Sequence, residues 1–124
     1  MELYNLDTEL TFGKYKGETV FDILKKESTY ISSYCLVKRE GFYITDEVYE
    51  ASIIYGYKGS IDDHVAQGHS AEEAINICRE VDPSKEYFKE KRKLYKDYLL
   101  KQYNQKLESQ LSGNGNIIVK HSIF

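Results

Sequence analysis

The sequence has no tryptophan and only two cysteines, and nowhere does it hold a long apolar run. Each absence removes a class of protein. Cys35 and Cys78 are too few for the disulfide framework that staples small secreted domains. No segment approaches the roughly 18 consecutive apolar residues needed to span a bilayer. The start, Met1-Glu2-Leu3-Tyr4, offers neither the basic region nor the apolar run of a secretory leader. Together these absences predict a cytoplasmic protein with reduced thiols and no membrane partner. Without Trp, the aromatic content is 12 Tyr and 5 Phe. Tyr packs its ring while its hydroxyl stays wet, and it orders at little entropic cost on a binding surface. Core and surface uses are both open to it here.

Catalytic signatures are missing as well. There is no Gly-x-Ser-x-Gly elbow, no phosphate loop ending in Gly-Lys-Ser/Thr, and no cysteine in a protease context. Asp22, Glu27, Asp46, Glu47 and Glu50 can meet in space, but acids at helix N-termini are accounted for by the helix dipole. Asp62, Asp63, His64 and His69 crowd one stretch. Zinc asks for a defined set of three or four ligands, and the two cysteines lie far from this stretch in sequence. No catalytic residue, metal site or cofactor is assigned.

What the chain does have is length for one core and an uneven charge. At 124 residues it reads as a single domain, able to bury roughly two thirds of its unfolded surface. The net charge is −3. Residues 85–108 hold eight basic residues against four acids, so that segment is +4 and the remainder −7. A globally acidic chain is a poor nonspecific DNA binder, but a local basic face can still contact phosphate.

Along the chain, residues 1–8 read as a polar lead-in. Leu10-Thr11-Phe12 and Glu18-Thr19-Val20 flank Gly13-Lys14-Tyr15-Lys16-Gly17 as an antiparallel hairpin, with Gly17 at positive φ. Thr19 then starts a helix whose apolar face is Val20, Ile23 and Leu24. Ser28 or Thr29 can cap a second helix carrying Tyr30, Ile31, Tyr34, Cys35 and Leu36, closed by Gly41. Phe42–Thr45 is a short strand candidate. Thr45 caps a helix through Asp46–Tyr55 with Val48, Ala51, Ser52 and Tyr55 on one stripe. Gly56, Gly59 and Gly68 make residues 56–69 the least regular region. Ser70 and Glu73 form a capping box. Asp82 and Pro83 suit the cap and first position of the longest helix, residues 84–109. Its apolar stripe of Phe88, Tyr95, Leu99 and Tyr103 is interrupted by Lys91 and Arg92, which excludes a regular coiled coil. In the tail, 110–124, Ile117-Ile118-Val119 reads as a late strand or a docking segment. The fold expected is α+β: a small antiparallel hairpin or three-stranded sheet packed against several helices, with a long C-terminal helix.

The segment 10–45 resembles the small C-terminal module that follows the nuclease domain in exodeoxyribonuclease X-like proteins. The hallmark of that module, Phe-Gly-Lys-Tyr-Lys-Gly, stands here at Phe12 to Gly17. A helix and an Asp-Pro-x-Tyr-[Ile/Leu]-x-Trp-like element follow in the family. Here that element reads Glu27-Ser28-Thr29-Tyr30-Ile31-Ser32-Ser33-Tyr34. The Asp-Pro pair is missing, and Tyr34, shifted by one inserted residue, stands where a Trp is usual. Gly41–Thr45 resembles the end of the module in standalone versions. The resemblance implies an accessory role near DNA. In the family, nuclease activity belongs to a preceding domain of clustered acids, which these residues do not contain.

Two sets of residues become candidate nucleic-acid contacts. In the Gly13–Gly17 turn, Lys14 and Lys16 suit phosphates and Tyr15 suits a base. The competing reading is a tight turn whose Tyr15 packs inward and whose lysines are solvated. On the long helix, Lys89, Arg92, Lys93 and Lys96 recur at helical spacing, with a solvated Glu/Lys face as the competing reading. The function expected is a non-catalytic accessory module acting on DNA or a DNA-processing complex. The alternative is a protein-interaction or assembly protein with no nucleic-acid role, using the long helix to bind a protein partner or a second copy.

Overall fold

A computed structural model describes residues 2–114, with side chains to residue 110. The expected strand or tail at Ile117-Ile118-Val119 lies outside the described residues. Two compact units divide the chain, one up to Arg92 and one from Lys93 onward.

The fold is mostly helical, which overturns the α+β expectation. Among the described residues its sheet has two strands, β1 (Glu2–Tyr4) and β2 (Phe42–Ile44), and they run parallel, not as an antiparallel hairpin. The register pairs Glu2 with Phe42, Leu3 with Tyr43 and Tyr4 with Ile44. Parallel strands need a long crossover, and residues 5–41 supply one. The polar lead-in is therefore half of the sheet. Its strand is only three residues long with one buried side chain, Tyr4, too short for an alternation to show. Tyr4 stacks on Phe42 with ring centroids 4.4 Å apart, and Phe12 meets Phe42 edge-on at 6.1 Å.

The expected hairpin fails for a backbone reason. Gly13 and Gly17 both take positive φ, +73° and +90°. The chain between them turns on itself through Lys16 N–H to Gly13 C=O (3.2 Å) and Glu18 N–H to Tyr15 C=O (3.0 Å). Only one antiparallel bridge forms, Glu9 with Thr19. The result is a closed loop rather than two strands.

Helix α1 (Val20–Thr29) starts at Thr19, whose hydroxyl accepts from Asp22 N–H, and it buries Val20, Ile23 and Leu24. Its backbone breaks at Glu27 (φ −155°, ψ 79°). It continues as a π-helical segment, Tyr30–Cys35, and a short α2 (Leu36–Lys38). No separate cap at Ser28 or Thr29 exists; Thr29 makes no side-chain cap bond. Tyr30, Ile31, Cys35 and Leu36 face the core, whereas Tyr34 does not. Helix α3 (Asp46–Gly56) begins at Thr45, which accepts from Val48 N–H, and packs on α1. Val48, Tyr49, Ser52 and Ile53 are its buried residues, while Tyr55 lies outside.

Where irregular chain was expected, α4 (Lys58–Ala66) forms. Gly56 ends α3, Gly59 is carried within α4, and Gly68 turns the chain beyond it at φ +105°. Glycine lowers helix propensity by about 1 kcal/mol against Ala, a penalty that docking of α4 on α5 offsets here. Helix α5 (Ala71–Val81) has the full capping box of Ser70 and Glu73. Arg79 pairs with Glu50 and so ties α5 to α3.

Helix α6 (Lys85–Asn114) begins two residues later than Pro83 suggests. Asp82 is used differently from the expected cap. Its carboxylate accepts the hydroxyls of Tyr49 and Tyr57, each at 2.8 Å, and that of Ser84. Phe88 stacks flat on Tyr49 at 4.2 Å. This knot joins α3 to the first turn of α6.

Burial first, and then the Asp82 carboxylate, raises both phenol pKa values, Tyr57 to about 12 and Tyr49 further. The unfolded phenols ionise near 10. Between about pH 10 and 12 the folded state therefore holds more protons than the unfolded one, and stability falls as pH rises. Tyrosinate absorbance followed beside circular dichroism should show a late group of tyrosines ionising together with loss of helix. Tyr57→Phe should soften that alkaline step.

Candidate functional site

The loop that replaces the hairpin presents the candidate contact residues. Leu10 anchors it from the core, and its backbone pairs with Glu18 C=O (3.0 Å) and Gly17 N–H (2.8 Å). A Cβ on Gly13 would overlap the Tyr30 hydroxyl, with the Tyr30 Cζ 3.6 Å away. A Cβ on Gly17 would meet nothing within 4 Å. The two glycines thus differ: both permit the turn, but only Gly13 also makes room for a neighbour.

Tyr15 turns inward. Its ring meets Tyr30 edge-on at 4.9 Å, and its hydroxyl donates to Glu27 Oε2 at 2.6 Å. Lys14 Nζ lies 2.9 Å from the same carboxylate oxygen and within 5.5 Å of the Tyr15 and Tyr30 ring centroids. These partners shift one another: Tyr15 first and Lys14 second hold the Glu27 carboxyl below its usual range. The Glu27 bond raises the Lys14 ammonium and the Tyr15 phenol. Lys16 is exposed and forms no ion pair among the described residues.

Beside this loop lies an open groove of about 570 Å³, whose walls include Gly13, Lys14, Glu27, Tyr30, Tyr34 and Lys38. The π-helical segment builds its aromatic wall. In the wider i→i+5 turn, a residue comes nearly above the one four positions before it. Tyr30 and Tyr34 accordingly stack at 5.1 Å with 21° between planes. Tyr30 is buried, and that burial raises its pKa; Tyr34 is 47% exposed. Sequence reasoning left Tyr34, Lys38 and Glu27 outside the candidate set. The available signal was the i, i+4, i+8 spacing of Tyr30, Tyr34 and Lys38, which places them on one helical face.

The basic residues of α6 divide by environment. Lys89 Nζ is 3.8 Å from Glu86, and Arg92 pairs with Asp46 at 3.0 Å. Lys93 and Lys96 are exposed and belong to the second unit. Lys91, which interrupts the apolar stripe, is a structural cation. It donates to the carbonyls of Arg39 (2.7 Å) and Phe42 (3.1 Å), and burial lowers its pKa. Arg39 itself lies over the Phe12 ring at 3.4 Å.

Elsewhere, Asp62, Asp63 and His64 lie on α4, and His69 pairs with Glu73 at 3.4 Å. Among the described residues no group of three or more His, Cys, Asp or Glu side chains is arranged to hold a metal ion. No helix there is long and apolar enough to cross a membrane. Cys35 and Cys78 are free thiols in the core, and burial pushes Cys35 up to about 12.

Residues 10–40 match the family described as Exodeoxyribonuclease X-like C-terminal. The match spans about a quarter of the chain, from the Leu10 anchor to the residue after Arg39. Every residue lining the groove falls inside it. No curated protein and no solved structure matches the chain.

Two alanine substitutions should separate the glycines' roles in chemical denaturation. Gly13→Ala should destabilise by about 1–3 kcal/mol, the cost of a left-handed non-glycine residue, with the Tyr30 overlap added. The same change in a Tyr30→Phe background should cost less, because the overlapping hydroxyl is gone. Gly59→Ala, in the first turn of α4 with open space at the Cβ, should stabilise by about 0.5 kcal/mol.

Proposed function

We propose that this chain is a non-catalytic accessory module that contacts DNA or a DNA-processing complex. One observation carries the reading: the segment similar to the exodeoxyribonuclease X-like C-terminal family contains the whole of the aromatic and basic groove. A groove that combines ammonium groups with an exposed ring has the composition of a nucleic-acid contact. Lys14 and Lys16 are the first phosphate contacts, on a loop whose backbone is closed and ordered by its own hydrogen bonds. Tyr15 braces this surface from beneath through Glu27 and Tyr30. Lys89, Arg92, Lys93 and Lys96 of α6 form a second set, in which Arg92 is shared with Asp46. The chain's overall charge of −3 makes such contacts local, so binding is weak and sensitive to salt.

A second reading is favoured by the exposure of Leu94, Leu99 and Leu100 on α6. In it, this helix serves a protein partner or a second copy.

Oligonucleotide binding measured against salt distinguishes the two. The first reading expects log affinity to fall linearly with log salt. The double change Lys14→Glu and Lys16→Glu should weaken binding and reduce the single-strand salt slope by about 1.4, from about 0.7 per phosphate contact. No binding at low salt, together with an oligomer that Leu99→Asp dissociates without unfolding, would replace the first reading with the second.

A further inference from the structure

The π-helical segment sets one aromatic ring outside the core and backs it firmly. Tyr34 is 47% exposed, yet its ring stacks on Tyr30 at 5.1 Å. Tyr30 is in turn held by the edge of Tyr15 and fits against the bare Cα of Gly13. Tyr34 lines the open groove together with Lys14, Lys38, Thr29 and Ser33. Lys38 is exposed and forms no ion pair among the described residues.

We propose that this groove takes an unpaired base of single-stranded DNA, stacked on Tyr34, with neighbouring phosphates at Lys38 and Lys14. The proposal rests on the DNA-contact reading above and names its ligand class. A base inside a duplex has both faces covered by its neighbours, so only an unpaired base can offer a face to a side chain. Each base has such a face, so the site discriminates little by sequence. The volume of about 570 Å³ lies within the range of small-molecule sites. It is large enough for a nucleotide. The two ammonium groups complement the phosphates on either side of the stacked base. Glu27 is the resident competitor: its carboxylate already holds Lys14 at 2.9 Å, and a phosphate arriving at Lys14 takes its place. Lys38 has no such competitor and is the stronger anchor.

The test is fluorescence anisotropy of the full chain with three labelled oligonucleotides of equal length at low salt. These are single-stranded oligo-dT, the same strand made abasic, and a duplex. The abasic strand keeps the phosphates and loses the stacking faces. Oligo-dT should bind about tenfold or more tightly than the abasic strand, and more tightly than the duplex. Tyr34→Ala should remove that preference while leaving abasic binding unchanged, and Tyr34→Phe should keep it. The abasic comparison is made on the unaltered chain and does not depend on a variant folding. Equal binding of oligo-dT and the abasic strand, or a duplex bound as tightly as oligo-dT, overturns stacking on Tyr34 but leaves DNA contact in place. Failure of all three strands to bind overturns both.

Discussion

The contact on which the site depends is that of the Tyr30 side chain with the empty side of Gly13. Tyr30 leaves the π-helical segment and reaches the closed loop, where the missing Cβ makes room for its hydroxyl. Tyr15 then meets it edge-on and Tyr34 stacks on it. Without that vacancy the loop would ride higher, Tyr15 would lose its ring partner, and Glu27 would no longer sit between Tyr15 and Lys14. A glycine in one segment and a helical irregularity in another thus define a single surface. Neither explains the groove alone.

Charge is arranged around this contact with economy. Glu27 serves two donors from the loop, and Glu18 holds Lys26, so the loop is fastened to α1 at two points by ions. These pairs are exposed and therefore weak. They orient the loop more than they stabilise the fold, whose stability comes from the buried cluster of Tyr4, Leu10, Ile23, Ile31, Phe42 and their neighbours. On α6, Lys91 departs from this pattern. It is drawn down onto two carbonyls at the turn before β2, where a cation meets acceptors left over by α2 and the strand.

Much of the helical layout was legible in the sequence because helix starts leave local marks. Thr19, Thr45 and Ser70 all cap as their side chains suggest, and Phe42–Ile44 is a strand as its run of apolar residues implies. What was not legible depends on partners distant in sequence. Glu2–Tyr4 becomes a strand only because Phe42–Ile44 lies beside it, a pairing that no local pattern encodes. Residues 58–66 are helical because α5 and the end of α3 receive them, despite Gly59. The two turn glycines read as a hairpin turn, but the backbone bonds between Gly13 and Glu18 close the chain into a loop. Of the candidate site, Lys14, Tyr15 and Lys16 were visible through their motif. Tyr34 and Lys38 follow Tyr30 at the i, i+4, i+8 spacing of one helical face, but no local pattern says that this face borders the loop at Gly13.

Cys35 and Cys78 sit on the π-helical segment and on α5, both buried and neither in a disulfide. A thiol shielded in the core is not alkylated until its surroundings open. Each cysteine is therefore a clock for the opening of its own element. Labelling rates at the two positions give the opening free energies of two parts of the fold separately, one of them the π-helical segment that lines the groove. A strand seated in that groove would slow the first clock and leave the second running at its own pace, so occupancy can be read from inside the protein with no reporter attached to it.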